Sequence, residues 1–540
     1  MPSSQSFGRT RPVVAGRNGA VASAHPLATA AGLRMLQQGG NAVDALVAMA
    51  VTLGVVEPYM SGPAGVGMML LCQPDGTGST LNFSGHAPAQ ATPDKFTPQT
   101  QDQGIRSCLV PGNVAGWFEA LRRHGSMPAE EIFAPAIDLA ENGFPLHPFN
   151  VVLIAAALPR LNSVGLEIYG DTPLRIGAVL RQADLAESLR RLVADGADEF
   201  YRGELARQIA DYVQSSGGLL TYEDLAGFEA EWETPIATDY HSLSVRTCGP
   251  NSEGFQILQT LKLLESFDLP SLGHNSARYI HLVSEAVKLA VADRIRWAGD
   301  PRFSPVPLEQ LFDDDYIEAR RKEIDLTNAS RSEGERWRGP RVDGDVVPGN
   351  CDGLTTHLSA VDASGMVASL TQSLGNTFGS AVAVPKTGLF LNNFASWCEI
   401  DPSCPTPNLI EPGKRWACCL SPVHVLRDED RFWFSMATPG SYGILHTTVQ
   451  MLLNVIEFGA DPQSAIEAAR FRVFEETRMQ IENRVDASVR EELTRQGHAL
   501  ETVGEFSYLV GGGQSVMIDP ESAARLGGAD PRRDGYALAY

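Results

Sequence analysis

The twelve residues from Ala45 to Val56 carry a single polar side chain, Thr52, and no other stretch constrains this chain as strongly. A helix built from them has no face to offer to water, so it must be covered on all sides. The residues before it read as its partner: Ala28 to Gln38 shows helical apolar spacing at Ala31, Met35 and Leu36, Gly39-Gly40 ends that helix, and Asn41 can cap the next. The run is also well short of the roughly 20 apolar residues that cross a bilayer. No membrane span is expected. Arg9, Arg11 and Arg17 interrupt the first 25 residues without an apolar segment that reads as a secretory signal, so a cytoplasmic protein is expected.

With 540 residues the chain can bury a large core, and 43% hydrophobic with 20% charged residues is ordinary globular usage. A net charge of −22 leaves no basic face for a phosphate backbone, which excludes nucleic acid as a partner. Eight cysteines, Cys72, Cys108, Cys248, Cys351, Cys398, Cys404, Cys418 and Cys419, are too sparse for a disulfide framework and lack C-x-x-C spacing. Reduced thiols and no metal are expected.

Along the chain no repeat of fixed period stands out. From 100 to 300 the signals are helical, at Pro128 to Glu141, Leu180 to Ala194, Gly203 to Ser215 and Ala277 to Trp297, the last capped by Asn275 or Ser276. Residues 325 to 352 are polar and read as an exposed linker. The period then changes. His357 to Val361 and Met366 to Ser373 flank Asp362-Ala363-Ser364-Gly365, a hairpin in which residue i pairs with residue 728 − i if Gly365 takes the left-handed position of a three-residue loop. That register sets Thr355 opposite Ser373. A second hairpin is expected at Ser380 to Val384 and Leu389 to Leu391, strands at Ser421 to Leu426, Arg431 to Ala437 and Gly513 to Ile518, and helices at Leu445 to Phe458 and Asp461 to Ala469. Strands with packed helices predict α/β layers.

No G-x-S-x-G, H-E-x-x-H or Walker A signature is present. What the chain does carry, in order over residues 12 to 520, is His25-Pro26-Leu27-Ala28, Gly39-Gly40-Asn41-Ala42-Val43-Asp44-Ala45, Val110-Pro111-Gly112-Asn113-Val114-Ala115-Gly116, Gly218-Leu219-Leu220-Thr221, Asp293-Arg294, Thr355-Thr356-His357, Asn392-Asn393 and Pro439-Gly440-Ser441. This series resembles the motifs of the γ-glutamyltransferase family. The resemblance implies the N-terminal-nucleophile hydrolase fold, a four-layer αββα sandwich made as one precursor that cleaves itself before a threonine. Here that threonine is Thr355, so residues 1–354 become a large subunit and 355–540 a small one. A freed α-amino group titrates near 7.7 to 8 and can serve as the threonine's own base. The resemblance also implies that Ser373 supplies a hydroxyl to the nucleophile, and that the turn at Gly440 and Ser441 forms an oxyanion hole.

The recognition residues depart from the family. Its carboxylate-binding arginine falls at Ser84, in Phe83-Ser84-Gly85-His86-Ala87-Pro88, and the asparagine two residues after the supporting hydroxyl is Gly375. The expected glutamine and aspartate fall at Phe394 and Trp397, and the expected Ser-Ser pair is Cys418-Cys419. Lost charge-assisted hydrogen bonds cost about 1.5 to 3 kcal/mol each, so glutathione is expected to be a poor substrate. Phe394, Trp397, Cys418, Cys419 and Tyr442 are expected to line a smaller or more apolar pocket, beside Ser84, His86 and Gly375. The combination predicts a self-processing amidohydrolase or acyltransferase taking a small or apolar acyl amide, similar to the oxamate amidohydrolases or cephalosporin-type acylases of this family. Two alternatives stand beside it: a γ-glutamyltransferase or glutathione hydrolase whose carboxylate is held by a basic group such as His86 or Arg106, and a non-catalytic binding member of the fold. His25 reads as structural and Asp293-Arg294 as an ion pair at a helix end. The expected partners are a small-molecule amide and the two subunits of one precursor, with a dimer of these heterodimers as a further expectation; no metal, cofactor or membrane is expected.

Overall fold

The structure, a computed structural model, describes residues 10–330 and 354–540 apart from Pro405, Glu429 and Glu475. Most of the expected linker, from 331 to 352, and Cys351 lie outside the described residues. Two seven-stranded antiparallel sheets stack face to face. The first runs in the order Tyr536–Ala539, Ala20–Ser23, Leu354–Val361, Val367–Gly375, Val66–Cys72, Gly78–Phe83, Glu231–Glu233. The second runs Val14–Gly16, Arg525–Ala529, Gln514–Ile518, Arg431–Met436, Val423–Arg427, Leu243–Thr247, Ile236–Tyr240. Helices Pro26–Gln37 and Ala42–Val56 cover the outer side of the first sheet, and Phe255–Leu264, Ala277–Trp297 and Gly443–Ile456 that of the second. This is the expected αββα sandwich.

The apolar run behaves as its composition demands. Every residue of Ala42–Val56 is buried, because the helix is pressed between the first sheet and an outer helix, Ala129–Asn142. Its start is fixed by a capping box: the Asn41 side chain accepts from the N–H groups of Val43 and Asp44, and the Asp44 carboxylate accepts from Asn41 N–H at 2.9 Å. The N–H of Ala42 donates to the Asp362 carboxylate at 3.0 Å, tying this helix to the hairpin loop above it. In that loop Gly365 has φ 93°, the left-handed value a three-residue loop requires.

The hairpin register holds from Thr355↔Ser373 to Val361↔Val367, the pairing the 728 − i rule gives. Side chains therefore alternate: Thr355, His357 and Ser359 share one face of their strand, while Thr356 and Leu358 share the other. Between the sheets small apolar residues such as Ala20, Ala22, Val367 and Val516 pack around a buried polar chain. In it His357 hydrogen-bonds Thr371 and Ser359, Ser359 bonds Ser369, and Ser369 bonds His424 of the second sheet at 3.0 Å. At the margin of both sheets Asn18 N–H donates to Tyr540 O at 2.7 Å and Tyr540 N–H to Gly19 O at 3.1 Å.

Several expectations need correction. The helix expected from Leu180 begins at Ala183, because Val179–Leu180 pairs with Phe144–Pro145 as a short strand. Ser276 caps the long helix, while Asn275 sits at φ 53° with its amide donating to Ala469 O at 2.9 Å. The second hairpin is a loop held by backbone bonds around one Ala383↔Phe390 bridge. Asp293 and Arg294 do not pair with each other; Asp293 meets Arg320 at 3.4 Å, and Arg294 meets Glu253 at 3.4 Å, because successive helical residues point about 100° apart. The seven described cysteines are free. Among the described residues no helix is long and apolar enough to cross a membrane.

Candidate active site

Thr355 is the second residue of the strand Leu354–Val361, which pairs with the central strand of the first sheet, and is buried to 4% exposure. Its hydroxyl donates to Ser373 Oγ at 3.2 Å, and Ser373 Oγ in turn donates to the carbonyl of Leu354 at 2.9 Å. Ser373 thus touches both the candidate nucleophile and the carbonyl that precedes it. The register breaks between Leu354 and Thr355, where Leu354 pairs with Gly375 and one residue of the partner strand is skipped. The extra residue is Leu374, so the bulge bends the partner strand opposite the bond a nucleophile would have to reach. Gly375 makes this possible without a side chain: its φ is 103°, its N–H donates to Ser373 Oγ at 2.9 Å, and a Cβ would overlap the Asn393 amide oxygen. Asn393 cannot yield easily, since that oxygen accepts Asn376 N–H at 2.8 Å and its amide donates to Asp102 O at 2.8 Å.

Two residues that sequence reasoning missed hold this strand end. Arg533 Nη1 donates to Thr355 O at 3.0 Å, and Thr356 Oγ1 donates to Glu57 at 3.2 Å on the opposite face. Glu57 is fully buried, and burial pushes its carboxyl up to about 7 despite the opposing pull of Arg533. Neither belongs to a spaced motif, and no local signal pointed to them.

Gly440 and Ser441 form the tight turn before the helix Gly443–Ile456, with φ of 131° and 58°. A serine in the left-handed region costs about 1 to 3 kcal/mol and persists only where its surroundings impose it. Thr438 supplies part of that imposition, donating to Pro439 O at 2.9 Å while accepting Gly512 N–H at 2.7 Å. The turn thereby lies against Gly511, and Gly512 lies against Arg533, the same side chain that holds Thr355 O. The helix N-terminus here places its positive end beside Ser441.

Of the residues expected to recognise the substrate, Phe394, Trp397 and Tyr442 cluster around an aromatic that the sequence reading omitted, Trp416. Phe394 stacks on it at 4.4 Å and 25°, Trp397 packs against it at 5.6 Å, and Trp397 meets Tyr442 edge-on at 5.1 Å. Arg294 lies over the Tyr442 ring at 3.9 Å. Trp416 Nε1 donates to Ser84 O at 2.7 Å, so Ser84 supports the cluster from behind. Its own hydroxyl is spent: it donates to Asn82 at 2.8 Å and accepts from Asn251 at 3.1 Å, fully buried. Counting across the antiparallel register, Thr355, Ser373, Val66 and Ser84 fall in one row, which puts Ser84 about 14 Å from Thr355. Cys418 and Cys419 are buried beside Glu253, and burial drives both thiols far up, so they act as small apolar groups. A position two residues before Cys418-Cys419 occupied by tryptophan was the available signal for Trp416.

The two basic candidates do not reach this cluster. His86 lines a separate cavity of about 270 Å³ with Ser84, Glu231, Arg302 and Arg415, its ring near Phe228 and its pKa lowered by burial. Arg302 and Arg415 are held there by Asp300, Glu231 and Glu233. Arg106 is exposed and donates to the carbonyls of Gly217 and Lys95. His25 is structural, capping the helix Pro26–Gln37 as a neutral imidazole.

The sequence model of the γ-glutamyltranspeptidase family matches residues 28–540. An acylase ACY 1 proenzyme of a Pseudomonas species is 34% identical over 97% of this chain and 94% of its own length. A glutathione hydrolase proenzyme of Escherichia coli is 33% identical over 96% and 91%. The crystal structure of a cephalosporin acylase from Bacillus halodurans superposes with a TM-score of 0.89 at 31% identity, covering 100% of this chain and 99% of that one.

Proposed function

We propose, from the premise that this chain belongs to the γ-glutamyltranspeptidase family and is an amide-acting enzyme of the N-terminal-nucleophile kind, that Thr355 is its nucleophile and that its acyl substrate is small or apolar and not γ-glutamyl. In the precursor Thr355 Oγ1 attacks the Leu354 carbonyl carbon, its proton passes to the peptide nitrogen as the C–N bond breaks and frees the Thr355 amine, and an ester joins the two segments. Water hydrolyses the ester, releasing the Leu354 carboxylate and restoring the Thr355 hydroxyl beside its freed amine. In turnover that amine takes the hydroxyl proton as Oγ1 attacks the substrate amide, then passes it to the departing amine. In processing, the Leu354 carbonyl oxygen that becomes negative already accepts from Ser373 Oγ; in turnover the substrate's oxygen is received by N–H groups of Gly440 and Ser441, each such donor being worth about 10²- to 10³-fold in rate. Water then clears the acyl-enzyme.

The observation that carries this reading is the Thr355–Ser373–Leu354 chain of hydrogen bonds, with the nucleophile hydroxyl and the scissile carbonyl on one serine. The names of the similar proenzymes support cleavage into two subunits. Cleavage after Leu354 would divide the 58.2 kDa chain into pieces of about 38 and 20 kDa. Mass spectrometry should find both, and Edman degradation of the smaller should begin Thr-Thr-His-Leu. An intact, fully active chain, or a Thr355→Ala variant that still cleaves, refutes the assignment.

Acyl choice follows from the aromatic cluster. Phe394 and Trp416, fully buried, back Trp397 and Tyr442, and the buried carboxylate beside them, Glu253, is paired with Arg294, so an α-ammonium group here would lack a free partner, and an unpaired buried charge costs several kcal/mol. An acylase proenzyme at 34% identity and a glutathione hydrolase proenzyme at 33% are nearly equally similar to this chain, so the choice between them rests on the aromatic cluster. Matched γ-glutamyl and glutaryl anilides should differ in kcat/KM by tenfold or more in favour of the glutaryl compound. The reverse ranking favours the glutathione hydrolase reading.

A further inference from the structure

Cleavage would leave the strand end at Thr355 without its covalent tether, and two buried charges already grip it. Glu57 follows the apolar helix directly and accepts from Thr356 Oγ1 at 3.2 Å, while Arg533, from the last segment of the chain, donates to Thr355 O at 3.0 Å. Arg533 is 3% exposed and Glu57 1%, and the guanidinium charge acts on the carboxyl. Each keeps capacity in reserve, since Glu57 Oε1 and Arg533 Nε are buried without a hydrogen-bond partner. The groups facing the pair are Asp534 and Tyr59 toward Glu57, and Asp530, Tyr508 and Tyr59 toward Arg533. His357, two residues along on the nucleophile's own face, is kept neutral by burial.

We propose that Glu57 and Arg533 are positioning residues that hold Thr355 in register after cleavage and control the proton on its freed amino group. The inference rests on Thr355 being the nucleophile. A guanidinium on the carbonyl of the same residue disfavours a second positive charge on the amine and so favours the neutral, proton-accepting form. A charged Glu57 acts the other way from across the strand. The balance lies with Arg533, which contacts Thr355 itself, whereas Glu57 contacts the next residue and is half neutral near pH 7.

The test uses the full chain, cleaved where it cleaves. In the wild type, the pH dependence of cyanate carbamoylation of Thr355, read by peptide mass, should give an amine that titrates below the ordinary 7.7 to 8.0. In Arg533→Met the acid limb of the kcat/KM profile should move up by about half to one pH unit, and in Glu57→Gln it should move down. Arg533→Lys, which keeps the charge, should stay close to wild type. Opposite shifts are something a merely structural role would not produce. A wild-type amine at or above 8 overturns the proposal, and so does an unmoved acid limb in cleaved variants, however far their rates fall. If Edman degradation places another residue at the start of the small chain, the Thr355 reading itself has failed, and that result is separate from either.

Discussion

At position 375 a methyl group would collide with the Asn393 amide oxygen, on a backbone whose φ of 103° already excludes most side chains. Glycine there follows from the bulge at Leu354, and the family's asparagine cannot simply be put back. Gly375→Asn should therefore reduce cleavage after Leu354 and leave γ-glutamyl activity at background, as read by chain masses and anilide hydrolysis. A fully cleaved variant with new γ-glutamyl turnover would contradict this account. Ser373 makes the opposite kind of contribution, through its side chain alone. Removing a hydroxyl that bonds the attacking oxygen costs roughly 1.5 to 3 kcal/mol as charge develops, so cleaved Ser373→Ala should lose about ten- to a hundredfold in kcat with KM little changed. An unchanged kcat would remove Ser373 from the mechanism.

The hairpin and the apolar helix were legible because their signals are local: a glycine at a loop position, an Asn-x-x-Asp cap, twelve residues with one polar group. The aromatic wall was half legible, since Phe394 and Trp397 occupied positions where polar groups were expected, while Trp416 had no such expectation attached to it. Glu57 and Arg533 were invisible. Arg533 lies 178 residues from the carbonyl it holds, and only the completed sheet brings the two together. The same non-locality built the polar chain between the sheets, and it has a measurable consequence. Burial lowers His357 and His424 to about 3, so both stay neutral when folded but gain protons near 6.5 when unfolded. Their contribution is complete above pH 6.5 and is lost as pH falls toward 3, roughly 2 kcal/mol per histidine by pH 5. His25 and His498 act in the same direction. Glu57, raised to about 7, works oppositely, contributing stability below 4.5 that is lost as pH rises through 7, and burial raises Glu233, Glu253 and Asp534 as well, but it also lowers His86, His124, His274 and His446 beside the four histidines already named. Calorimetry should show Tm falling steadily from pH 7 to pH 5, with a shallower fall in His424→Gln. A flat profile would mean these imidazoles are not held neutral.

Across the whole molecule, the strand Ala20–Ser23 is flanked on one side by Leu354–Val361 and on the other by Tyr536–Ala539. Were the chain cut at Leu354, both ends of the small piece would clasp one strand of the large piece, so neither could leave without breaking two ladders. The cut protein should elute as one species and unfold in a single denaturant transition that releases both pieces together; separation of intact pieces at low denaturant would argue against this arrangement. The contact of Tyr540 with Asn18 and Gly19 carries a different implication, about the order in which the polypeptide is written. Since Tyr540 touches Asn18 and Gly19, a Gly-Ser link that runs back from residue 540 past the short edge strand Val14–Gly16 to residue 12 would let a circularly permuted gene begin at Thr355 and finish near residue 330 without disturbing either sheet. Once its initiator methionine is trimmed, such a permutant would be born with the threonine amine that, on the function proposed above, the natural order would have to create by cutting. Activity straight from synthesis would separate the need for a free amine from the need for a severed bond, and would turn a one-time maturation event into a property of gene order.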